Sequence, residues 1–432
     1  MKKNLLIAIV MLFALHSFAQ QQAKHVVLIT IDGFRPDFYL DSTWPAPHLR
    51  ALLRGGFHAK GVNSVFPSVT YPSHTTIITG VQPVKHGVYY NGMFEPTGST
   101  GKSYWKDSSI HALTIWKVLH DKGLKVASLY WPVSAEAPVD YNIPDIGELP
   151  ESVRDAYTLP IGFTDELKKE VFNGDTAIDS DKDQNEAKIA AYIIKKDPPA
   201  LLNIHLFSVD HYEHEQGRSG DLVRGAVSDA DESVGIIEAA LKEKGIWDNT
   251  VIIVTGDHGF LDVTTTVNPN VWLKNAGLIN DWRANDWKAQ FNVSGGSAWL
   301  YLKDPGDRAT LKEVRKILRS LPDSARRFFR IIERSKMDKI GANPEVAFAL
   351  SGENGAAFGG APTGEAISPG KGGTHGYFPD FQEIRTGFIA YGPGIRAGGS
   401  IPVMNLSDIA PFIAKVLGFS FPSADGKVPD GL

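Results

Sequence analysis

Four short, strongly apolar runs, each ending at a glycine or a carboxylate, constrain this chain more than any other feature. His25–Ile31 (HVVLITI) stops at Asp32-Gly33, and Leu201–Val209 (LLNIHLFSV) stops at Asp210. Thr250–Thr255 (TVIIVT) runs into Gly256-Asp257-His258-Gly259, and Thr386–Tyr391 (TGFIAY) into Gly392-Pro393-Gly394. Unbroken Val/Ile/Leu runs of this length suit strands covered on both faces, as in a parallel sheet. Helical patterns lie between them, over about 47–54, 73–80, 110–122, 184–195, 221–244 and 406–417. The alternation predicts an α/β fold, a doubly wound and mostly parallel sheet flanked by helices. Residues 261–374 break the pattern with Trp- and Asn-rich turns, a strand-like Ser297–Leu302, a charged helix near 307–320 and a Gly-rich stretch at 352–373. They are expected to form a smaller α+β subdomain, inserted before the last core strand and ending in a mobile loop.

The 432 residues carry a net charge of −5, which gives no reason to expect a nucleic-acid-binding patch. A phosphate site in such a chain would be made locally positive by metal ions rather than by a basic surface. With no cysteine present, thiolate sites and disulfides are excluded, and ligands must come from His, Asp and Glu. Lys2, Lys3, the apolar run at 5–15 and Ser17-Phe18-Ala19 read as a signal peptide over residues 1–19. The run is shorter than the roughly 20 residues of a membrane span. A catalytic domain over 20–432 is therefore expected to be exported, periplasmic or secreted, with no stable membrane span after processing.

In open α/β sheets, ligands bind beyond the carboxyl ends of the strands. Asp32, Asp210 and Asp257 stand at that position on three expected strands. One such aspartate is ordinarily a turn residue or a helix cap; three, two of them with histidines close by, are harder to explain that way. Asp210 and His214 are four apart and share a face if a helix begins there. Asp257 and His258 can turn towards one ion if Gly256 and Gly259 free the backbone. His375 lies among glycines in Gly372-Gly373-Thr374-His375-Gly376. Such residues suit Zn²⁺, and the chemistry alone also admits Mn²⁺.

Phe66-Pro67-Ser68-Val69-Thr70-Tyr71-Pro72-Ser73-His74 completes the set. Pro72 marks a helix N-terminus, whose free N–H groups favour a phosphate. A hydroxyl just ahead of it is a candidate nucleophile once a metal ionises it. Thr70 is the choice, with Ser68 and Ser73 as rivals and helix capping as the plain alternative for Thr70.

TIDGFRPD, FPSVTYPSHTTIITG, HGVYYNGM, DHYEH, TGDHG and GGTHGY, in that order, resemble the nucleotide pyrophosphatase/phosphodiesterase family of the alkaline phosphatase superfamily. The similarity runs from about residue 25 to 415 and is weakest over 261–365. It implies an alkaline phosphatase-like fold, two Zn²⁺ per chain and a phosphothreonine intermediate. One zinc would be held by Asp32, Thr70, Asp257 and His258, the other by Asp210, His214 and His375. Thr70 matches the nucleophile, Asn91 the donor to a phosphate oxygen, and Tyr71 the aromatic residue beside the base. The chain departs from many relatives at Glu213, where they carry glycine. His211 adjoins Asp210, but the spacing favours His214 as the ligand. The loop Tyr130–Ser134 matches only loosely. His74 and His86 match no ligand, and His25, His48, His58, His111, His120 and His205 are expected to be structural or surface residues.

The four positive charges of two zinc ions would be balanced by three carboxylates and the Thr70 alkoxide, which suits a singly charged diester better than a monoester dianion. Lys60 is the only cation between Phe57 and Lys85. A nucleotide pocket would use Tyr71 with Trp131 or Tyr141 as a stacking pair. The same rings could surround choline, giving a lipid head-group phosphodiesterase. A phosphomonoesterase, or a non-catalytic metal- or phosphate-binding protein, is the remaining alternative. A sulfatase would need Cys or a modifiable Ser where Thr70 stands.

Overall fold

The computed structural model describes residues 22–432 except 98–102, 148, 176, 180–181 and 423. The expected signal peptide lies outside the described residues. Nine core strands form one sheet: β1 (His25–Ile31), β2 (Phe57–Asn63), β3 (Val126–Trp131), β4 (Tyr141–Pro144), β5 (Leu201–Leu206), β6 (Thr250–Thr255), β7 (Thr386–Tyr391), β8 (Gly399–Ile401) and β9 (Met404–Asn405). Their order is β8-β2-β7-β6-β1-β5-β3-β4, with β9 also on β2. Only β7 runs against its neighbours β6 and β2, so the sheet is mixed rather than wholly parallel. The short strands β2, β3 and β4 escape a search for long apolar runs, because β2 carries His58, Lys60 and Gly61 and β4 has only four residues.

Alternation along β1 sends Val27, Ile29 and Ile31 into one core and Val26 and Leu28 into the other. Helices Pro47–Gly55, Asp183–Lys196 and Asp221–Lys244 cover the first face. Helices Thr70–Thr79, Ile115–Asp121 and Ile409–Val416 cover the second. Burying both faces is what requires continuous apolar runs in the central strands.

The register aligns Thr30 with His205 on one side and with Thr255 on the other. β1, β5 and β6 therefore end at one level, and Asp32, Phe207 and Gly256 leave the sheet together. The run from Leu201 does not continue as a strand to Val209: it stops at Leu206, and Asp210 lies in the first turn of helix Ser208–Gln216.

Between β6 and β7, Ala289–Ser294, Ser297–Leu302, Ala349–Gly352 and Phe329–Ile332 build an antiparallel sheet. Helix Arg308–Ser320 lies against it, and Leu273, Phe291, Leu300, Val314, Phe348 and Leu350 share a separate apolar core. The Gly-rich stretch is not the loop expected from its composition. Ala356–Phe358 and Ile367–Pro369 flank Thr265–Val267 in a small sheet, held by backbone pairing and by Ala356, Phe358 and Val267 in the apolar core of the insert.

Candidate metal and phosphoryl-transfer site

Oxygens and nitrogens of Asp32, Asp257 and His258 lie within 4.8 Å of one another, as do those of Asp210, His258 and His375. His258 thus stands between the two groups, with Nε2 3.1 Å from Asp257 Oδ2 and 3.3 Å from Asp32 Oδ1. His214 joins the second group through Nε2, 3.5 Å from Asp210 Oδ2 and 3.2 Å from His375 Nε2. His211, one residue past Asp210, is exposed and contacts Tyr212 instead.

The glycines around Asp257 and His258 act through close approach. A Cβ on Gly256 would lie 2.2 Å from Thr386 Oγ1, and one on Gly259 2.2 Å from Glu383 O. The start of β7 and the turn before it therefore press directly against this loop, and the expected role of these glycines in freeing the chain direction gives way to a packing one.

The donor set fits divalent cations. Among the described residues, buried Asp32 Oδ1, Asp257 Oδ2, Asp210 Oδ1 and His258 Nε2 have no hydrogen-bond partner, an arrangement that would be costly without a cation among them. His375 Nδ1 donates to Ser68 O at 3.0 Å and His214 Nδ1 to Gly373 O at 3.0 Å. Each ring is thereby left with an unprotonated Nε2, 3.5 Å from an Asp210 oxygen. Burial pushes Asp32 and Asp257 well above the usual carboxylate range, and nearby carboxylates push the same way. Burial lowers His258 strongly and His375 to about 4, which keeps both imidazoles in the neutral, metal-binding form.

Thr70 is the first residue of helix Thr70–Thr79, which begins three residues earlier than the sequence pattern indicated. Val69 occupies the capping position and the Thr70 hydroxyl makes no cap. Asn91 Nδ2 points at Thr70 Oγ1 from 3.5 Å, while Asn91 Oδ1 accepts from Tyr71 N at 2.9 Å. The rival hydroxyls are engaged elsewhere: Ser68 Oγ donates to Tyr377 O at 3.0 Å, and Ser73 Oγ meets Ser64 Oγ at 3.1 Å. Both serines are fully buried.

A cleft of about 530 Å³ opens here, with Asp32, Thr70, Tyr71 and Asn91 on its walls. Burial and then the Asp145 carboxylate raise the Tyr71 hydroxyl well above its ordinary value. Trp131 and Tyr141, expected as stacking partners, do not reach the cleft. Trp131 is fully buried against His74, ring centres 4.8 Å apart, and Tyr141 packs on Phe163 at 5.3 Å. Tyr130 adopts φ +53° where the pairing of β3 with β4 slips, so the alternation of faces reverses there. That reversal sends Tyr130 towards the cleft and Trp131 into the opposite core.

Three further residues of the cleft escaped the sequence pattern. Phe207 supplies a third aromatic wall after Tyr71 and Tyr130, and Arg154 brings a cation from helix Glu151–Asp155, its guanidinium 5.7 Å from the Tyr130 ring. His205, expected to be structural, reaches Asp32 Oδ2 with Nε2 at 3.1 Å and Tyr130 O with Nδ1 at 3.2 Å. A histidine near the end of buried β5, level with the end of β1, was the available signal. His74 also approaches the site, its Nδ1 2.9 Å from Thr70 O and its Nε2 3.0 Å from Thr30 Oγ1.

The family model for type I phosphodiesterase / nucleotide pyrophosphatase matches residues 26–377. Ectonucleotide pyrophosphatase/phosphodiesterase family member 5 from Homo sapiens is 26% identical over 255 residues, covering 56% of this chain and 46% of that protein. Bis(5'-adenosyl)-triphosphatase enpp4 from Xenopus laevis is 22% identical over 408 residues, covering 91% and 78%. The chain spans less than half the length of the human relative. The solved structure of murine family member 5 superposes with a TM-score of 0.68 at 22% identity, covering 93% of this chain and 97% of that one. An inactive threonine-to-alanine variant of that murine protein, in complex with AMP, also gives 0.68, at 21% identity, covering 94% and 97%. The fold is shared with these structures, and by the match over most of its length the chain belongs to the type I phosphodiesterase / nucleotide pyrophosphatase family.

Proposed function

We propose that the protein is an exported, zinc-dependent phosphodiesterase that hydrolyses phosphodiester or pyrophosphate bonds of nucleotide-type substrates through a phosphothreonine. The observation that carries this reading is Thr70, with its hydroxyl uncommitted to a cap, on the wall of a cleft that also holds Asp32, Tyr71 and Asn91. Asp32, Asp257, His258 and Thr70 would hold one zinc, and Asp210, His214 and His375 the other. When bound, the ions supply Lewis-acid stabilisation of the oxygens that attack and leave. Thr70 Oγ1 forms the bond to phosphorus as one ester oxygen departs with its group, the nucleoside stays on the threonine-bound phosphorus, and water later releases the nucleoside monophosphate. Asn91 Nδ2 donates to a non-bridging oxygen, while its Oδ1, tied to Tyr71 N, fixes the direction of the amide.

Tyr71, Tyr130 and Phe207 offer aromatic surface to a nucleobase. The AMP complex of the inactive threonine variant in the murine relative supports both the nucleotide and the threonine. Asp32 and Asp145 outnumber Arg154 among the charged residues of the cleft, which favours a singly charged ester. Residues 1–19 serve as the export signal in this reading. The test is a substrate panel on zinc-loaded protein. Thymidine 5'-p-nitrophenyl phosphate should exceed p-nitrophenyl phosphate by at least about a hundredfold in kcat/KM, or roughly 2.7 kcal/mol. A preference for the monoester would overturn it.

A further inference from the structure

A second cavity, of about 430 Å³, lies against the insert and takes no part in the site described above. One wall is Met93 and Phe94, two and three residues beyond Asn91. Consecutive Cα atoms are about 3.8 Å apart, so this wall begins within roughly 8 Å of Asn91. The opposite wall belongs to Ala289–Ser294, whose hairpin turn donates from Gly296 N to His375 O at 2.6 Å. Both walls are thus extensions of segments bonded to the phosphoryl-transfer residues. Trp282, Phe291 and Val293 add apolar surface, and Met93 is 36% exposed.

The polar groups here are largely committed to the protein itself. Asn270 Nδ2 donates to Phe291 O at 2.9 Å, its Oδ1 accepts from Phe291 N at 2.7 Å, and Gln290 Nε2 donates to Pro96 O at 2.9 Å. Among the described residues no lysine or arginine lines the cavity, and Glu95 places a carboxylate on it. A polyphosphate chain would find no counter-charge in such a place. Its size and its aromatic and thioether lining suit a flat apolar group.

Resting on the phosphodiesterase reading, we propose that this cavity receives an uncharged aromatic group, carried on the ester arm that the Tyr71 cleft does not hold. Substrates with two large arms then fill both cavities across Asn91, and those with one arm fill only the first.

Two thymidine 5'-diesters, 2-naphthyl and methyl, test this with Met93→Arg and Trp282→Ala, each variant normalised to wild type. The naphthyl diester should lose about tenfold or more in kcat/KM in both variants, mainly through KM, and the methyl diester should change less than twofold. Equal losses on both diesters, or none, would overturn the proposal. Fluorescence titration with free 2-naphthol reads the cavity without turnover: Met93→Arg should weaken binding about tenfold, and unchanged binding would refute it. Failure of wild type to cleave either diester would remove the phosphodiesterase reading alone, since the titration still decides the cavity.

Discussion

Arg35 Nη1 lies 2.7 Å from Glu213 Oε1, and both side chains are buried. Arg35 is three residues beyond Asp32 and Glu213 immediately precedes His214, so this ion pair ties the end of β1 to the helix that carries Asp210 and His214. It gives Glu213 a structural role. Burial raises the Glu213 carboxyl well above its usual range, with Arg35 and Arg218 opposing.

Removing one member of a buried pair leaves the other charge without compensation, at a cost of about 3–5 kcal/mol. Glu213→Ala should therefore lower the unfolding free energy by about that amount in urea titrations. A loss below about 1 kcal/mol would mean that Arg35 finds other partners, Asp37 at 2.9 Å being the nearest.

Asp183 gives a pH signature. Its Oδ1 accepts from Ser208 Oγ at 2.7 Å, at the start of the same helix, and burial lifts its carboxyl from 3.8 to about 6. The folded value exceeds the unfolded one, so the stability this group contributes is present in full below about 3.8 and is lost as pH rises through about 6. Asp183→Asn should therefore gain stability relative to wild type between pH 4 and pH 7, by about 3 kcal/mol at most. A difference between the two proteins that stays flat with pH would contradict this.

His205 should act through Asp32. Replacing a group that orients a metal ligand typically costs 10- to 100-fold in affinity or activity. His205→Leu should lower zinc affinity, measured by competition with a chromophoric chelator, by about that factor, while His211→Ala leaves it unchanged. Equal effects at the two positions would show that the contact with Asp32 carries no weight.

The convergence of six Asp and His side chains was legible because five stand just past a strand or at a helix start, and His214 follows Asp210 by four residues on the same helix. Strands β1, β6 and β7 were legible to the residue from their unbroken apolar character. The substrate cleft was not. One positive φ at Tyr130 and one slip in the pairing of β3 exchange the faces of two aromatic residues, and no local pattern announces such a reversal. Arg154 and His205 come from segments distant in sequence, and only the sheet order brings them to Thr70. The reversed direction of β7 is also silent in a run of six apolar-type residues, since buried parallel and antiparallel strands share composition.

The metals should be counted directly. Elemental analysis of active protein should find two zinc ions per chain, and chelation should abolish turnover. One ion, or none, in fully active protein would contradict the two-metal reading.

The most direct measurement is mass spectrometry of the enzyme acid-quenched during turnover of thymidine 5'-p-nitrophenyl phosphate. The account predicts a thymidine 5'-phosphoryl adduct on Thr70 and on no other residue, absent from Thr70→Ala, whose turnover falls by orders of magnitude while its zinc content holds. Wild-type turnover in Thr70→Ala, or a wild-type enzyme that never carries the thymidine 5'-phosphoryl group on Thr70, would show that water attacks the ester directly.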